Sequence, residues 1–292
     1  MRSNQLSYTP LTLVNLERKY SIGLLFKSRF KGEELHVDLQ RYRVTLLISC
    51  MWILSACTLN SFETLPTASL TPQSTTPVSE DPTQIVPSPD QISEGQWQIL
   101  TSGVERRLIP VEGSIAQLTV LRLDPNEVTF RAHYRPQDPL VLREWQSELG
   151  QAVAIINANF FTEENAVLGL LIADGLVYGQ SYTDRGGWFG VQNGSPFVRS
   201  NINAPYQGEA LEQAIQAFPM LVLNGQQAYT NTAPDRTTRR TAIGQDSEGR
   251  IILLVTSQGG MTLLNLSAFL AESDLNLVNA FNLDGGGSTM LY

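Results

Sequence analysis

The chain has 292 residues and a net charge of −8. Divided at Cys57, the first part carries 8 Lys+Arg against 4 Asp+Glu, and the remainder 12 against 24, every cation of the remainder being arginine. So acidic a body excludes nucleic acid as a partner, because phosphates demand a basic surface, although one or two focused arginines can still meet a small anion.

The cysteines narrow the chemistry further. Cys50 and Cys57 both precede the body, which leaves it no disulfide, thiol nucleophile or cysteine-bound zinc. With His133 as its one histidine and no lysine after Lys31, a multi-histidine metal site, Schiff-base chemistry and a Walker-type phosphate loop are excluded too.

Residues 1–40 are either an N-terminal extension or a start-site overcall. In residues 41–57, Arg41-Tyr42-Arg43 precedes a short apolar run ending in Leu54-Ser55-Ala56-Cys57. A basic start, an apolar stretch too short for a comfortable span and small residues before the cut describe a lipoprotein-type signal. Cys57 would be the lipid anchor; the alternatives are a signal anchor or a buried helix. Residues 58–96 contain no Lys or Arg and are dense in Ser, Thr and Pro, which predicts a disordered tether. The expected location is therefore extracytoplasmic and membrane-anchored, in the periplasm or at the cell surface.

Residues 97–292 read as a single α+β domain, with mostly antiparallel or mixed sheet and a few packed helices. Val128–Arg135 alternates as a strand, leaving His133 on the polar face as an exposed histidine with no structural role. A helix follows Pro139 and stops at Gly150. Ala152–Ile156 is a buried strand delivering Asn157-Ala158-Asn159-Phe160-Phe161 at its end. Hairpins turn at Asp174-Gly175 and Asn193-Gly194. Leu211, Ala214, Ile215 and Phe218 have helical spacing within Glu209–Phe218. Strands over Thr241–Gln245 and Arg250–Thr256 flank a turn, Thr262 caps a helix from Leu263, and Leu277–Leu283 is the last strand.

Three polar constellations stand where strands end. Asn157 and Asn159 are two apart beside aromatics such as Phe161; carboxamides can both donate to and accept from sugar hydroxyls. Arg236, Arg239 and Arg240 precede the strand that opens with Thr241, and guanidinium forks suit phosphate. Asp284-Gly285-Gly286-Gly287-Ser288-Thr289 follows the last strand, where glycines strip side chains from a turn and let N–H groups converge on an anion. Each also has an ordinary structural reading as turn, solvated surface or hairpin.

Together with Gly169-Leu170 and Gly260-Met261-Thr262-Leu263, these motifs resemble, in order, the phosphodiester glycosidase family over roughly Leu108 to the end of the chain. The resemblance implies a hydrolase cleaving the glycosidic bond of a sugar-1-phosphodiester in envelope or exopolysaccharide metabolism. Asp284, Arg240 and Ser288 would be catalytic. Asn157, Asn159, Phe161, Gly169, Thr241, Gly285, Gly286, Gly287 and Thr289 would bind a sugar-phosphate or glycan substrate. No cofactor is implied; a divalent cation on Asp284 and Asn side chains is the one conceivable metal. The competing class is a non-catalytic glycan-binding or envelope-organising lipoprotein that keeps the pocket. Family members continue past the glycine motif through a further strand, so a chain ending at Tyr292 is expected to lack the last strand and leave an open sheet edge.

Overall fold

The computed structural model describes residues 10–15 and 95–292 apart from 113–114, all within one compact unit. The expected signal, the anchor at Cys57 and all of the expected tether but its last two residues lie outside the described residues. The elements are β1 (Pro10–Asn15), β2 (Gln98–Thr101), β3 (Val104–Pro110), β4 (Gln117–Leu123), β5 (Val128–Ala132), α1 (Leu142–Glu148) and β6 (Ala152–Asn157). Next come β7 (Leu171–Ala173), β8 (Leu176–Tyr178), β9 (Gly187–Gln192), β10 (Ser195–Ser200) and β11 (Gln213–Ala217). The chain closes with β12 (Met220–Leu223), β13 (Gln226–Gln227), β14 (Thr241–Asp246), β15 (Ile251–Thr256), α2 (Leu263–Glu272) and β16 (Leu277–Asn282).

The strands form three antiparallel sheets. The largest runs β13-β12-β16-β14-β15-β4-β3-β2, the second β10-β9-β11-β7-β8, and the third β5-β1-β6. This is the expected α+β architecture. The large sheet is buried on both faces because β15, one of its central strands, is apolar from Ile251 to Val255. In β15, Ile251 and Leu253 pack with Leu121, Phe189 and Phe281, while Ile252 and Leu254 face the other way against Leu118, Leu266 and Leu270. That second layer is α2, whose cap is in place: the Thr262 hydroxyl accepts the Asn265 N–H at 3.1 Å. Helix α1 seals a smaller cluster in which Trp145 meets Ile155 and Met290.

Both predicted hairpin turns form, with Asp174 at φ 50° and Gly175 at φ 80°, and Asn193 at φ 50° and Gly194 at φ 76°. The segment Glu209–Phe218, expected to be helical, is not a helix. It contains β11, the middle strand of the five-stranded sheet, between β9 and β7. All five residues of β11 are buried, with Ala214 on one side and Ile215 and Ala217 on the other. A strand covered on both faces has no polar alternation to reveal it. His133 also departs from expectation. It is half-buried, 5.9 Å from the Trp145 ring, and burial with the Arg131 charge pushes its pKa down to about 4, so it is neutral near pH 7.

The expected open edge beside the glycine motif is not found at β6. Ile155 exchanges hydrogen bonds with Tyr292, both at 2.9 Å, and Ile156 bridges Leu291 on that side. On its other side β6 pairs with β1, which also pairs with β5.

Gln216 shows how a polar residue is accommodated in β11. Its Oε1 accepts the N–H groups of Leu170 (2.9 Å) and Tyr182 (2.7 Å), and its Nε2 donates to the Asn201 Oδ1 at 2.7 Å. Replacing Gln216 with Leu strands these groups at a cost of about 1–3 kcal/mol for each one left unpaired. Urea unfolding of Gln216→Leu should therefore show a loss of several kcal/mol, and an unchanged midpoint would refute this account of the strand.

Candidate active site

The fold brings all three polar constellations to one place. The Asn157 Nδ2, at the end of β6, donates to the Asp284 carbonyl at 2.7 Å, and its Oδ1 accepts from the Thr241 hydroxyl (3.0 Å) and the Met290 N–H (3.0 Å). The Asp284 N–H donates to the Ala158 carbonyl at 2.9 Å, and the Leu283 N–H to the Thr241 carbonyl at 2.8 Å. The ends of β6 and β16 and the start of β14 are thus laced together beneath the glycine turn.

The turn is glycine because the backbone of 238–240 presses on it. A Cβ on Gly285 would lie 2.9 Å from the Arg239 carbonyl oxygen, and Gly286 sits at φ +61°. The Gly286 N–H donates to that same carbonyl at 2.8 Å, and the Gly285 N–H to the Asp284 Oδ1 at 2.8 Å. Two of the amides expected to cradle an anion are therefore engaged within the protein, and the glycines here serve close packing. A short 3-10 turn, Gly286–Ser288, then carries the Ser288 hydroxyl back to the Asp284 carboxylate.

Above the turn is a cavity of about 400 Å³, lined among others by Phe160, Phe218, Tyr229, Arg240, Asn282 and Asp284. Phe160 and Phe218 stack with centroids 4.7 Å apart, and Tyr182 meets Phe218 edge-on at 5.6 Å. Such rings can cover the apolar face of a sugar. A larger concavity of about 780 Å³, lined by Arg131, Asp174 and Gln213, shares no lining residue with this one, and none of the three constellations reaches it.

Asp284 is the ionisable centre of the cavity. Burial raises its pKa, and hydrogen bonds from Ser288 and the Gly285 N–H only partly offset the rise. Asn282, on the same strand end, is buried. Its Nδ2 is spent on the carbonyls of Phe218 (3.1 Å) and Leu283 (2.7 Å), and its Oδ1 has no partner among the described residues.

Arg240 is held more tightly than a free phosphate ligand. Its Nε donates to the Met261 carbonyl at 2.9 Å, and its Nη2 to the Asp235 Oδ2 (3.0 Å) and the Arg236 carbonyl (2.6 Å). Burial opposes ionisation of Asp235, but the N–H groups of Leu263 and Arg236 and the charge of Arg240 outweigh it and lower its pKa. Arg239 is less constrained: it is half-buried, and its Nη2 reaches across the turn to the Gly287 carbonyl at 3.4 Å.

Several expected site residues do not line the cavity. Asn157, Thr241 and Thr289 are buried scaffold: the Thr241 and Thr289 hydroxyls are 3.3 Å apart beneath the turn. Asn159 is buried, with its Nδ2 on the carbonyls of Leu168, Leu170 and Gln216. Phe160, rather than Phe161, faces the cavity. Gly169, at φ +83°, lies where a Cβ would strike Tyr182 at 2.9 Å, so it permits packing of the aromatic wall. Phe218, Tyr229, Asp235 and Asn282 were not singled out from sequence. Asn282 lies within the predicted last strand, and the Asp235 to Arg240 spacing carries no signal of its own. Among the described residues, no group of three or more His, Cys, Asp or Glu is gathered to hold a metal.

A sequence model of the phosphodiester glycosidase family matches residues 150–292. Mouse N-acetylglucosamine-1-phosphodiester alpha-N-acetylglucosaminidase is 29% identical over 160 residues, 45% of this chain and 30% of that protein. The human enzyme of the same name is 47% identical over 53 residues, 17% of this chain and 10% of that protein. The solved catalytic domain of the zebrafish enzyme, auto-inhibited by its pro-peptide, superposes with a TM-score of 0.51 at 22% identity, covering 64% of this chain and 71% of that one. That likeness establishes the fold. Through residues 150–292 the chain is similar to the phosphodiester glycosidase family. It spans under a third of the length of these curated relatives.

The raised pKa of Asp284 has a signed consequence for stability. A carboxyl whose folded pKa lies above its unfolded value stabilises the fold at low pH and loses that contribution as pH rises through the folded pKa. Asp284→Asn removes the buried charge, so its melting temperature should exceed that of the wild type near pH 7–8, with the gain fading toward the ordinary carboxylate range near pH 4. A variant less stable than wild type at both pH values would contradict the burial argument.

Proposed function

We propose that the protein is a hydrolase cleaving the glycosidic bond of a sugar-1-phosphodiester, with Asp284 as the catalytic carboxylate. The observation that carries this reading is a buried acid of raised pKa in an aromatic-walled cavity, at the end of a strand whose motif belongs to the phosphodiester glycosidase family. A phosphodiester is already a competent leaving group, so the reaction needs little proton donation, and a site with one lining carboxylate suffices. The Asp284 carboxylate faces the positive charge that develops on the sugar, either stabilising it or attacking the anomeric carbon. For a carboxylate as buried as Asp284 this attraction is stronger than in bulk solvent.

In this reading Ser288 orients Asp284, Asn282 braces the cavity wall through the carbonyls of Phe218 and Leu283, and Phe160 and Phe218 cover the ring. Asn157 and Asn159 hold the strand end that shapes the cavity. The phosphate is met by Arg239, with Arg240 supplying the one edge of its fork left free. The apolar run and lipobox-like Leu54–Cys57 support an extracytoplasmic, membrane-anchored enzyme acting on envelope or exopolysaccharide glycans. Among the described residues no helix is long and apolar enough to cross a membrane.

The engaged N–H groups of Gly285 and Gly286, with the Asp235 partner of Arg240, favour one second reading: a glycan-binding protein that keeps the pocket without turnover. Assay of the full chain on UDP-N-acetylglucosamine and a 4-nitrophenyl sugar phosphodiester decides between them. Asp284→Asn should lose activity by about 100-fold or more while still binding ligand. Wild-type turnover in that variant would remove Asp284 from the mechanism, and binding without turnover in the wild type would establish the second reading.

The two arginines should separate cleanly. Arg239→Ala should raise KM for phosphate-bearing substrates with little change in melting temperature. Arg240→Ala strands the partly buried Asp235 and should cost stability on the order of 2–3 kcal/mol, less than for a fully buried pair. Equal effects of both variants on KM and stability would overturn this division of roles.

A further inference from the structure

The larger concavity, of about 780 Å³, has roughly twice the volume of the candidate active site. It lies where the Asp174-Gly175 and Asn193-Gly194 turns and the residues leading into β11 meet β5. Two consecutive residues build its frame. The Glu212 carbonyl accepts the Gly175 N–H at 2.9 Å and its carboxylate accepts the Gly194 N–H at 3.0 Å, so one residue ties both turns. Gln213 is buried: its Oε1 accepts the N–H groups of Ala132 (3.0 Å) and Asp174 (3.3 Å), and its Nε2 donates to the Asp174 Oδ1 at 2.8 Å. Asp174 is thereby held for Arg131, which grips both carboxylate oxygens, through Nε at 3.2 Å and through Nη2.

Both members of this pair stay open to solvent, and an exposed ion pair contributes little to stability. Here a buried carboxamide nevertheless fixes the surface carboxylate from beneath. The result is a donor and acceptor array set in place before any ligand arrives, which lowers the ordering cost of binding.

The lining charges select the class of ligand. Arg131 and Asp174 offset each other and the Glu212 carboxylate adds a negative charge, so the groove has no excess positive charge to offer a phosphate. Fixed guanidinium donors beside a fixed carboxylate acceptor, over a floor that includes Val191 and Leu211, suit neighbouring hydroxyls on a sugar ring. A volume toward the upper end of the ~300–1,000 Å³ usual for small-molecule sites admits more than one such ring.

We propose that this groove is a second glycan site, which takes a neutral oligosaccharide and grips its hydroxyls with the Arg131–Asp174 pair. The inference stands on the groove alone and does not need Asp284 to be catalytic.

Calorimetric titration of the full chain with cellotetraose and with tetra-N-acetylchitotetraose tests it. At least one should bind, inorganic phosphate should not compete, and hydrogen exchange should slow at residues 174–175, 193–194 and 210–213. Binding of neither sugar, competition by phosphate, or protection confined to the segments around Phe160 and Phe218 would overturn the proposal. Ala210 lines the groove and is exposed, so Ala210→Trp fills the space without removing a side-chain hydrogen bond, and Arg131→Ala removes the donors. Each should weaken binding by about tenfold or more. Turnover of a 4-nitrophenyl sugar phosphodiester should be the same in Ala210→Trp as in the wild type. Wild-type oligosaccharide affinity in Ala210→Trp would place the ligand elsewhere, and wild-type affinity in Arg131→Ala would remove the ion pair from recognition; either refutes the assignment. If a variant fails to fold, the exchange pattern of the wild-type chain decides.

Discussion

The carboxamide of Asn157 is the interaction on which the candidate site depends. It reaches the Asp284 carbonyl from β6, takes the Thr241 hydroxyl from the start of β14, and accepts the Met290 N–H from beyond the glycine turn. One neutral side chain, buried and with both ends paired, thereby fixes three segments that are distant in sequence. An aspartate in its place could not donate to the Asp284 carbonyl, and an apolar residue would leave the Thr241 hydroxyl and the Met290 N–H without this partner. The cavity rests on this neutral scaffold, which adds no charge of its own beside Asp284.

Burial makes the Asp284 anion costly, and the partial compensation from Ser288 and the Gly285 N–H keeps the group on a short tether without neutralising it. A guanidinium directly on Asp284 would stabilise the carboxylate more, but would also remove its capacity to meet a developing positive charge. Arg240 is instead paired with Asp235, whose Oδ2 also takes the Leu263 N–H at the start of α2. The helix, the arginine and the edge of the cavity are fixed by one carboxylate that does not line it.

Much of the fold was legible where local chemistry decides it. Asp174-Gly175 and Asn193-Gly194 adopt positive φ because the hairpin turns require it, and Thr262 caps α2 as its position indicated. The segment around β11 was not legible, because its glutamines are buried and satisfied by partners remote in sequence, and burial on both faces erased the alternation that marks a strand. The site was legible as a set of motifs but not as roles. Asn157 and Thr241 have the chemistry of ligand-binding side chains, yet their hydrogen bonds tie strand ends together beneath the glycine turn. Phe218 and Tyr229 sit in no motif at all; their place in the cavity wall is a product of tertiary packing.

The balance of charge at the cavity gives the proposed reaction a direction. Beyond residue 57 the chain carries twice as many acidic as basic side chains, and Asp235 offsets the charge of Arg240. A phosphodiester carries one negative charge, whereas the phosphomonoester left by cleavage of its glycosyl bond carries close to two near neutral pH. In the proposed reaction a cavity holding Asp284, with the Arg240 charge already offset by Asp235, meets the singly charged substrate more readily than the doubly charged product. The extra charge gained on cleavage is repelled by the same carboxylate that stabilised the transition state, so the acidity that excludes nucleic acid from the surface also favours release of the product.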